Sequence, residues 1–218
     1  MGRSAAVLVV AVAVLAGSGG ANARTGANCA RTSVSMTPLT DLGQGRYRGY
    51  RGGLNANGKN TPPAAYERMG LAAAQAVRPI DGKIVLLSIG MSNTTQEFSA
   101  FAQVADASRS KAAGVQLVDG AQPGQDAEKI KDPAARYWDV WLVNERVRGE
   151  LAGPWLGWGP YLWTNGEKGR SDGLTWTCAD VRPSDGTHPS ASGQAKVASL
   201  LWRFFTTDPT TRSWFVAS

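Results

Sequence analysis

The only histidine of the chain, His188, lies near the C-terminus in the stretch Ser-Asp-Gly-Thr-His-Pro-Ser, residues 184–190. Imidazole is the side chain that ordinarily titrates near neutral pH, so acid–base chemistry by a histidine would have to use His188. Asp185 stands three positions before it, close enough for a tight loop to direct a carboxylate at the ring. These two residues are the candidate base and orienting group of a nucleophile–base–orienter arrangement. The alternatives are that His188 is only a loop histidine and that Asp185 only makes an Asx-type turn with Gly186. The rest of the sequence must provide the nucleophile.

Ser92 is the candidate nucleophile, because it lies between a predicted strand and a predicted helix. Residues 84–89 form a nearly continuous apolar run, typical of a strand buried on both faces of a parallel sheet. Gly90 ends this run, and Thr94 and Glu97 follow with the spacing of a helix capping box. In open α/β sheets ligands bind at the carboxyl ends of strands, and a helix N-terminus favours developing negative charge. The alternative is that Ser92 is only a turn residue.

Other elements are predicted on both sides of Ser92. They are a helix over residues 64–77, a strand over 115–119 ended by the turn residue Gly120, a helical pattern over 133–148, and a final helix capped by Ser190. The piece 140–143 fits a strand equally well. Residues 149–187 show no clear strand–helix unit and carry several tryptophans. We expect these rings to pack in the core or a lid, and the alternative is a platform for sugar rings.

The N-terminus has the features of a secretory signal peptide. Arg3 precedes an apolar stretch over residues 5–16 that is too short to span a bilayer, and residues 21–23 read as a small-x-small cleavage site. The predicted organisation is a signal peptide over 1–23, a loop-rich extension over 24–80 and one domain over 81–218. We expect a secreted or periplasmic protein with no stable membrane anchor after cleavage, and the alternative is an uncleaved anchor.

Charge and cysteine content restrict the partners. The chain has 23 Lys and Arg against 17 Asp and Glu, a formal net charge of +6, but the basic residues are scattered. Nucleic-acid binding is therefore not predicted. Export permits a disulfide between Cys29 and Cys178, and the paired and free states both stay open. One His and two distant Cys give none of the usual zinc-ligand spacings, so no metal site is predicted.

Taken together, these features resemble the SGNH (GDSL-like) serine hydrolase superfamily. Residues 90–93, Gly-Met-Ser-Asn, match its first block, Gly120 matches the second-block glycine, and residues 185–190 match the fifth block. The resemblance covers roughly residues 84–205, though not continuously. It implies a three-layer α/β/α fold with a mostly parallel central sheet, and an activity without a cofactor.

The resemblance also implies a role for each residue. Ser92 would attack an ester carbonyl, and His188 would take its proton and later give it to the leaving group. Asp185 would hold the imidazole in the correct tautomer. The backbone N–H groups of Ser92 and Gly120 would point at the oxyanion.

The sequence departs from the family pattern in three places. Met91 replaces the usual Asp before the nucleophile, and Asn93 replaces the usual Leu after it; neither side chain is needed for proton transfer. The third block normally contributes an oxyanion-hole Asn, for which Asn144 is the only candidate. Strand-plus-helix units need about 30 residues or more, so at least one expected unit is missing before Asp185. A minimal active fold, a degenerate paralogue and a truncated gene model are the three explanations.

We therefore expect a secreted serine esterase that hydrolyses acyl esters, of which carbohydrate acetyl esters and short-chain lipid esters are equally plausible. The alternative from another class is a hydrolase-like secreted binding protein that has lost turnover because its oxyanion hole and sheet are incomplete. A serine peptidase with the same residues fits less well, because the resemblance is to ester hydrolases.

Overall fold

The computed structural model describes residues 35–124 and 155–218, together with the backbone of residues 9–11. The predicted helical pattern over 133–148 and the alternative strand over 140–143 lie outside the described residues. The strands are β1 (Val9–Ala11), β2 (Arg46–Tyr47), β3 (Tyr50–Arg51), β4 (Ile84–Ser88), β5 (Val115–Asp119) and β6 (Leu156–Trp158). The helices are α1 (Leu39–Leu42), α2 (Ala64–Ala76), α3 (Ser92–Asp106), α4 (Ala191–Thr207) and α5 (Pro209–Phe215), with short 3-10 turns at Ala56–Gly58 and Cys178–Asp180.

The fold is of the general α/β class, with small parallel and antiparallel sheets. Strands β4 and β5 pair in parallel from Ile84 opposite Val115 to Ser88 opposite Asp119, which confirms both predicted strands. Strands β2 and β3 form an antiparallel hairpin, and β1 pairs in parallel with β6. Across the described ranges the β4–β5 sheet has two strands. The mostly parallel, three-layer arrangement therefore stays a prediction.

The expectation that β4 is buried on both faces is wrong. Leu86 and Ser88 are each 6% exposed, whereas Val85 is 57% and Leu87 47% exposed. Successive side chains of a strand point to opposite faces, so one face of the sheet is covered and the other is open to solvent. A continuous apolar run predicts apolar neighbours on both sides, but burial depends on whether another layer is there to cover them.

The core lies on the covered face and is dominated by aromatic rings. Phe101 of α3 stacks on Phe205 of α4 and Phe215 of α5, with ring centroids 5.3 and 6.1 Å apart. Phe101 and Phe215 are fully buried, and Val197 and Leu201 of α4 belong to the same core. Aromatic pairs in such offset arrangements contribute about 0.5–1.5 kcal/mol each beyond their area burial. This packing fixes α3 against α4, the two helices that flank the residues of interest.

Helix α3 begins earlier than its sequence pattern predicts. Ser92 is its first residue and Met91 its N-cap, so Thr94 is not a cap residue and the predicted capping box with Glu97 is wrong. The close approach of Thr94 to Gly90 explains the glycine: a Cβ there would lie 2.3 Å from Thr94 Oγ1. Helix α4 begins as predicted, with the Ser190 hydroxyl accepting from the Gly193 N–H at 3.3 Å.

Helix α2 confirms the predicted helix after the Pro62-Pro63 pair. The indole N–H of Trp155 donates to Tyr66 O at 3.1 Å, and its ring lies so close to Gly70 that a Cβ there would clash. Trp176 donates to Leu162 O at 2.6 Å, while Trp158 is 44% exposed. None of the helices within the described ranges is long and apolar enough to cross a bilayer.

Candidate active site

The structure brings together the three side chains that the sequence selects. Ser92 Oγ lies 2.9 Å from His188 Nε2, although the two residues are 96 positions apart. His188 Nδ1 lies 3.0 Å from Asp185 Oδ2 on the opposite side of the ring. With its proton on Nδ1, the ring donates to Asp185 and leaves Nε2 to accept the hydroxyl proton of Ser92. This is the connectivity that a hydroxyl nucleophile, a base and an orienting carboxylate require.

Asp185 forms the loop and orients the ring at the same time. Its Oδ1 accepts from the backbone N–H groups of Thr187 and His188 at 2.8 and 2.9 Å, which leaves Oδ2 for the imidazole. Partial burial raises the pKa of Asp185, but these two N–H groups and the imidazole outweigh burial and lower it below its ordinary value. The carboxylate therefore stays charged and fixed in direction. The turn residue and the orienting group, which the sequence leaves as alternatives, coexist here.

The His188 loop is closed on itself and tied to the helix that follows it. Arg182 N–H donates to His188 O at 2.8 Å, and Gly186 N–H donates back to Arg182 O at 2.8 Å. Gly186 has φ +60°, a conformation that favours glycine. Ser190 N–H donates to Asp180 O at 2.9 Å. These bonds hold the short segment between Arg182 and Ser190 as one unit.

Asp180 stabilises this loop, and sequence reasoning missed its role. Its carboxylate is 3% exposed and accepts from Thr177 N–H, Thr177 Oγ1, Ser192 Oγ and Lys196 Nζ. Burial opposes ionisation, but the donors, led by Lys196, outweigh it and lower the pKa of Asp180 to about 2. The Thr-x-x-Asp spacing from Thr177 to Asp180 was the available signal, because it is that of a capping box.

Helix α3 contacts the same loop through side chains beside the nucleophile, which sequence reasoning also missed. Asn93 Nδ2 donates to Thr187 O at 3.4 Å, and Arg182 donates to Gln96 Oε1 at 2.8 Å. Asn93 and Gln96 are three positions apart, so they lie on one side of the helix. Both bonds connect the element that carries Ser92 to the loop that carries His188.

The structure provides fewer of the predicted hydrogen-bond donors for an oxyanion hole. Within the described residues, nothing accepts a hydrogen bond from the N–H of Ser92, as the first turn of a helix allows. The Gly120 N–H, however, donates to Ser88 O at 3.1 Å, so the expectation that it points at an oxyanion is not met. Gly120 is explained by packing, since a Cβ there would lie 2.8 Å from Leu87 Cδ1. Asn144, the third candidate donor, lies outside the described residues.

Cys178 is disulfide-bonded, and Cys29, the other cysteine of the sequence, lies outside the described residues. Among residues 35–124 and 155–218, no three or more His, Cys, Asp or Glu side chains are grouped as metal ligands would be. No protein-family model, curated protein or solved structure matches this chain. The functional conclusion rests on the geometry of Ser92, His188 and Asp185.

Proposed function

We propose that this protein is a secreted serine ester hydrolase that forms an acyl-enzyme on Ser92, within a three-layer SGNH-like fold. The hydrogen-bonded series from Ser92 Oγ through His188 to Asp185, with distances of 2.9 and 3.0 Å, is the observation that supports it. A serine at a strand–turn–helix junction with a base in contact is an activated nucleophile, whereas a structural serine needs neither.

In the acylation step, Ser92 Oγ attacks the ester carbonyl while His188 Nε2 takes the hydroxyl proton. Asp185 stabilises the imidazolium that forms and keeps the ring in position. The Ser92 N–H at the first turn of α3 donates to the developing oxyanion, where the helix dipole also favours negative charge. The alcohol then leaves with the proton from His188.

In the deacylation step, water replaces the alcohol. His188 takes a proton from the water, the hydroxide attacks the acyl-enzyme carbonyl, and the proton passes to Ser92 Oγ as the acid leaves. No step needs a cofactor. The His188 side chain is 30% exposed, so the scissile ester reaches Ser92 from solvent. The proposed substrates are esters of small acyl groups, either carbohydrate acetyl esters or short-chain lipid esters.

A fluorophosphonate probe tests the proposal, because it phosphonylates an activated serine and loses fluoride. We expect the wild-type protein to be labelled, and Ser92→Ala and His188→Ala to be unlabelled although folded. Ser99→Ala, on the exposed side of the same helix, is the matched control and should label as the wild type does. A folded wild-type protein that never labels would refute the proposal.

A second candidate function is ester or sugar binding without turnover. The observation that favours it is the Gly120 N–H, which is bound to Ser88 O rather than available to an oxyanion. Loss of one oxyanion donor typically costs about 10²–10³-fold in kcat. Steady labelling with no detectable hydrolysis of a p-nitrophenyl acetate substrate would favour this candidate. Asn144→Ala tests the remaining proposed donor in the same assay, since it should lower kcat only if that amide serves the oxyanion.

Export is proposed from the signal-peptide features of residues 1–23. Intact-mass measurement of the protein recovered from the culture medium or periplasm should show an N-terminus near Arg24. A protein that stays in the cytoplasm at full mass would contradict it.

A further inference from the structure

The β2–β3 hairpin carries three exposed arginines, Arg46, Arg48 and Arg51. Its two strands pair with Arg46 opposite Arg51 and Tyr47 opposite Tyr50, joined by a two-residue turn of Arg48 and Gly49. Every residue from 44 to 51 is exposed, and Tyr50 is 80% exposed. The alternation of a strand places the two arginines on one face and the two tyrosines on the other.

The residue types in this hairpin are poor choices for stability. Like charges directly opposite each other in an antiparallel pair are destabilising, and Arg46 faces Arg51. Arg48 has φ +49°, in the left-handed region where Gly or Asn is favoured in such turns. Natural proteins depart from such pairing and turn preferences at functional sites. The pattern therefore indicates that these side chains serve a function other than stabilising the hairpin.

The positive charge of the hairpin is not neutralised. Arg46 donates to Gly49 O, Arg51 donates to Gln44 Oε1, and the Arg48 guanidinium lies 5.5 Å from the Tyr47 ring centroid. All of these partners are uncharged. Within residues 35–124 and 155–218, no carboxylate forms an ion pair with any of the three arginines. Asp41, the nearest acidic residue before the hairpin, accepts from Ser171 instead.

We propose that this hairpin binds an anionic polysaccharide whose sugar rings carry carboxylates. Guanidinium groups carry the charge opposite to that of carboxylates, and their planar shape allows two parallel hydrogen bonds to one carboxylate. Tyr47 and Tyr50 offer neighbouring rings with hydroxyl tips, a surface with an apolar body for the face of a sugar ring and a polar edge for its hydroxyls. Binding does not depend on the chemistry at Ser92, so it is a separate property of the chain.

A nucleic-acid partner fits the same residues less well. Single-stranded nucleic acids are bound by charged grooves that follow several nucleotides of backbone. Here the charge is confined to one short hairpin, and the other basic residues are scattered along the sequence. A polysaccharide with one carboxylate per ring presents the same charged group at every position. One small patch can therefore bind it anywhere along the polymer.

The test measures binding of the full chain, carrying Ser92→Ala so that the polymer is not altered. The probes are polygalacturonate, its fully methyl-esterified form, and a single-stranded oligothymidylate. We expect binding to polygalacturonate that weakens as salt rises, because exposed charges are screened. The methyl-esterified polymer lacks the charge and should bind at least about tenfold more weakly, a difference of about 1.4 kcal/mol.

Charge-matched variants separate the hairpin from overall basicity. Arg46→Gln, Arg48→Gln and Arg51→Gln combined should weaken binding by about tenfold or more. The control replaces three exposed arginines on other elements, Arg109, Arg203 and Arg212, by Gln and should bind as before. Equal loss in both triple variants, no binding by the parent protein, or tighter binding to oligothymidylate would each overturn the proposal.

Arg48→Asn gives the sharpest test, because stability and binding should move in opposite directions. Asn is better suited than Arg to positive φ, so the Tm should stay the same or rise. Binding to polygalacturonate should weaken, since one guanidinium is lost. A variant that binds as tightly as the parent would show that Arg48 is only a turn residue and would remove it from the proposed surface.

Discussion

Two buried carboxylates, one beside the His188 loop and one on α3, have pKa values that are shifted in opposite directions. Asp180, below the His188 loop, has four hydrogen-bond donors including Lys196, and its pKa is lowered to about 2. Glu97, on the helix that carries Ser92, is 6% exposed, and burial raises its pKa to about 7. In the described parts of the chain, no group donates to the Glu97 carboxylate.

The difference shows which side of the site is secured by charge. The loop with the base is held by Asp180, whose negative charge is balanced by Lys196 and other donors, so the charged form favours folding. The helix with the nucleophile contains Glu97, and the folded protein is more stable when this carboxyl is neutral, because an uncompensated buried charge is costly. Changes on the base side should therefore affect both chemistry and stability, whereas changes to Glu97 should appear mainly in the pH dependence of stability.

The largest effect is expected from Asp185→Asn. The amide still offers an oxygen to the Thr187 and His188 N–H groups, but it no longer holds the His188 proton on Nδ1. Where this change has been made in a comparable arrangement, kcat fell about 10⁴-fold. Ester hydrolysis rates and circular dichroism measure the two properties. Asp106→Asn, whose carboxylate is 61% exposed at the C-terminal end of α3, is the control. A loss smaller than about tenfold would mean that Asp185 serves the turn alone.

Asp180→Asn tests the support below the loop. Removing one partner of a buried ion pair typically costs about 3–5 kcal/mol in the free energy of unfolding, and Lys196 is only 27% exposed. Because the pKa of Asp180 is lowered on folding, its contribution is present above the ordinary carboxyl range and is lost as pH falls through about 2. Urea unfolding across this range measures both effects.

Glu67→Gln is the control for Asp180→Asn, because Glu67 is exposed on α2 and forms no ion pair within the described residues. Surface substitutions of this kind usually change the free energy of unfolding by less than about 0.5 kcal/mol. Equal destabilisation by the two variants would remove the distinction drawn for Asp180.

Glu97→Gln should change the pH profile of stability in the other direction. Folding raises the pKa of Glu97 from 4.5 to about 7, so the folded protein holds the extra proton and loses stability as pH rises through this range. The loss for the wild type between pH 5 and 8 is about 2–3 kcal/mol from this group. The variant should be flatter and more stable at pH 8. Parallel profiles for both proteins would show that folding does not raise the pKa of Glu97.

Gln96→Ala should have the smallest effect, through the position of the loop. Without the Gln96 oxygen, Arg182 loses its hydrogen bond to α3, and we expect kcat to fall about tenfold with KM unchanged, as for an interaction made in the transition state. Gln96→Glu keeps the acceptor and should restore the rate. Gln103→Ala, exposed on the same helix, controls for helix propensity. No change in kcat would show that the loop holds its position unaided.

Local sequence patterns predicted the elements whose cause is local. The strands Ile84–Ser88 and Val115–Asp119, helix α2, and the Ser190 cap all follow from apolar periodicity, turn residues and capping chemistry. His188 was predicted as the base by elimination, because it is the only histidine of the chain. Ser92 was predicted as its partner from its place between a strand and a helix and from the resemblance to the SGNH superfamily.

The features that sequence reasoning missed depend on distant parts of the chain. The Gly120 N–H is taken by Ser88 O because the β4–β5 register places them together, and no local pattern records that register. Val85 and Leu87 are exposed because no described element covers that face. The Arg182–Gln96 bond joins residues 86 positions apart, so it appears only when the loop is docked on α3.

The two hydrogen bonds of His188 also differ in the length of chain they close, and this has a consequence for folding. The bond to Asp185 spans three positions, whereas the bond to Ser92 spans 96. The entropy cost of closing a loop grows with its length, so the Asp185–His188 contact can form early and locally. The contact with Ser92 must wait until α3 and α4 dock. Reactivity toward a serine probe is therefore expected to appear only with this long-range docking step, when the imidazole meets its nucleophile.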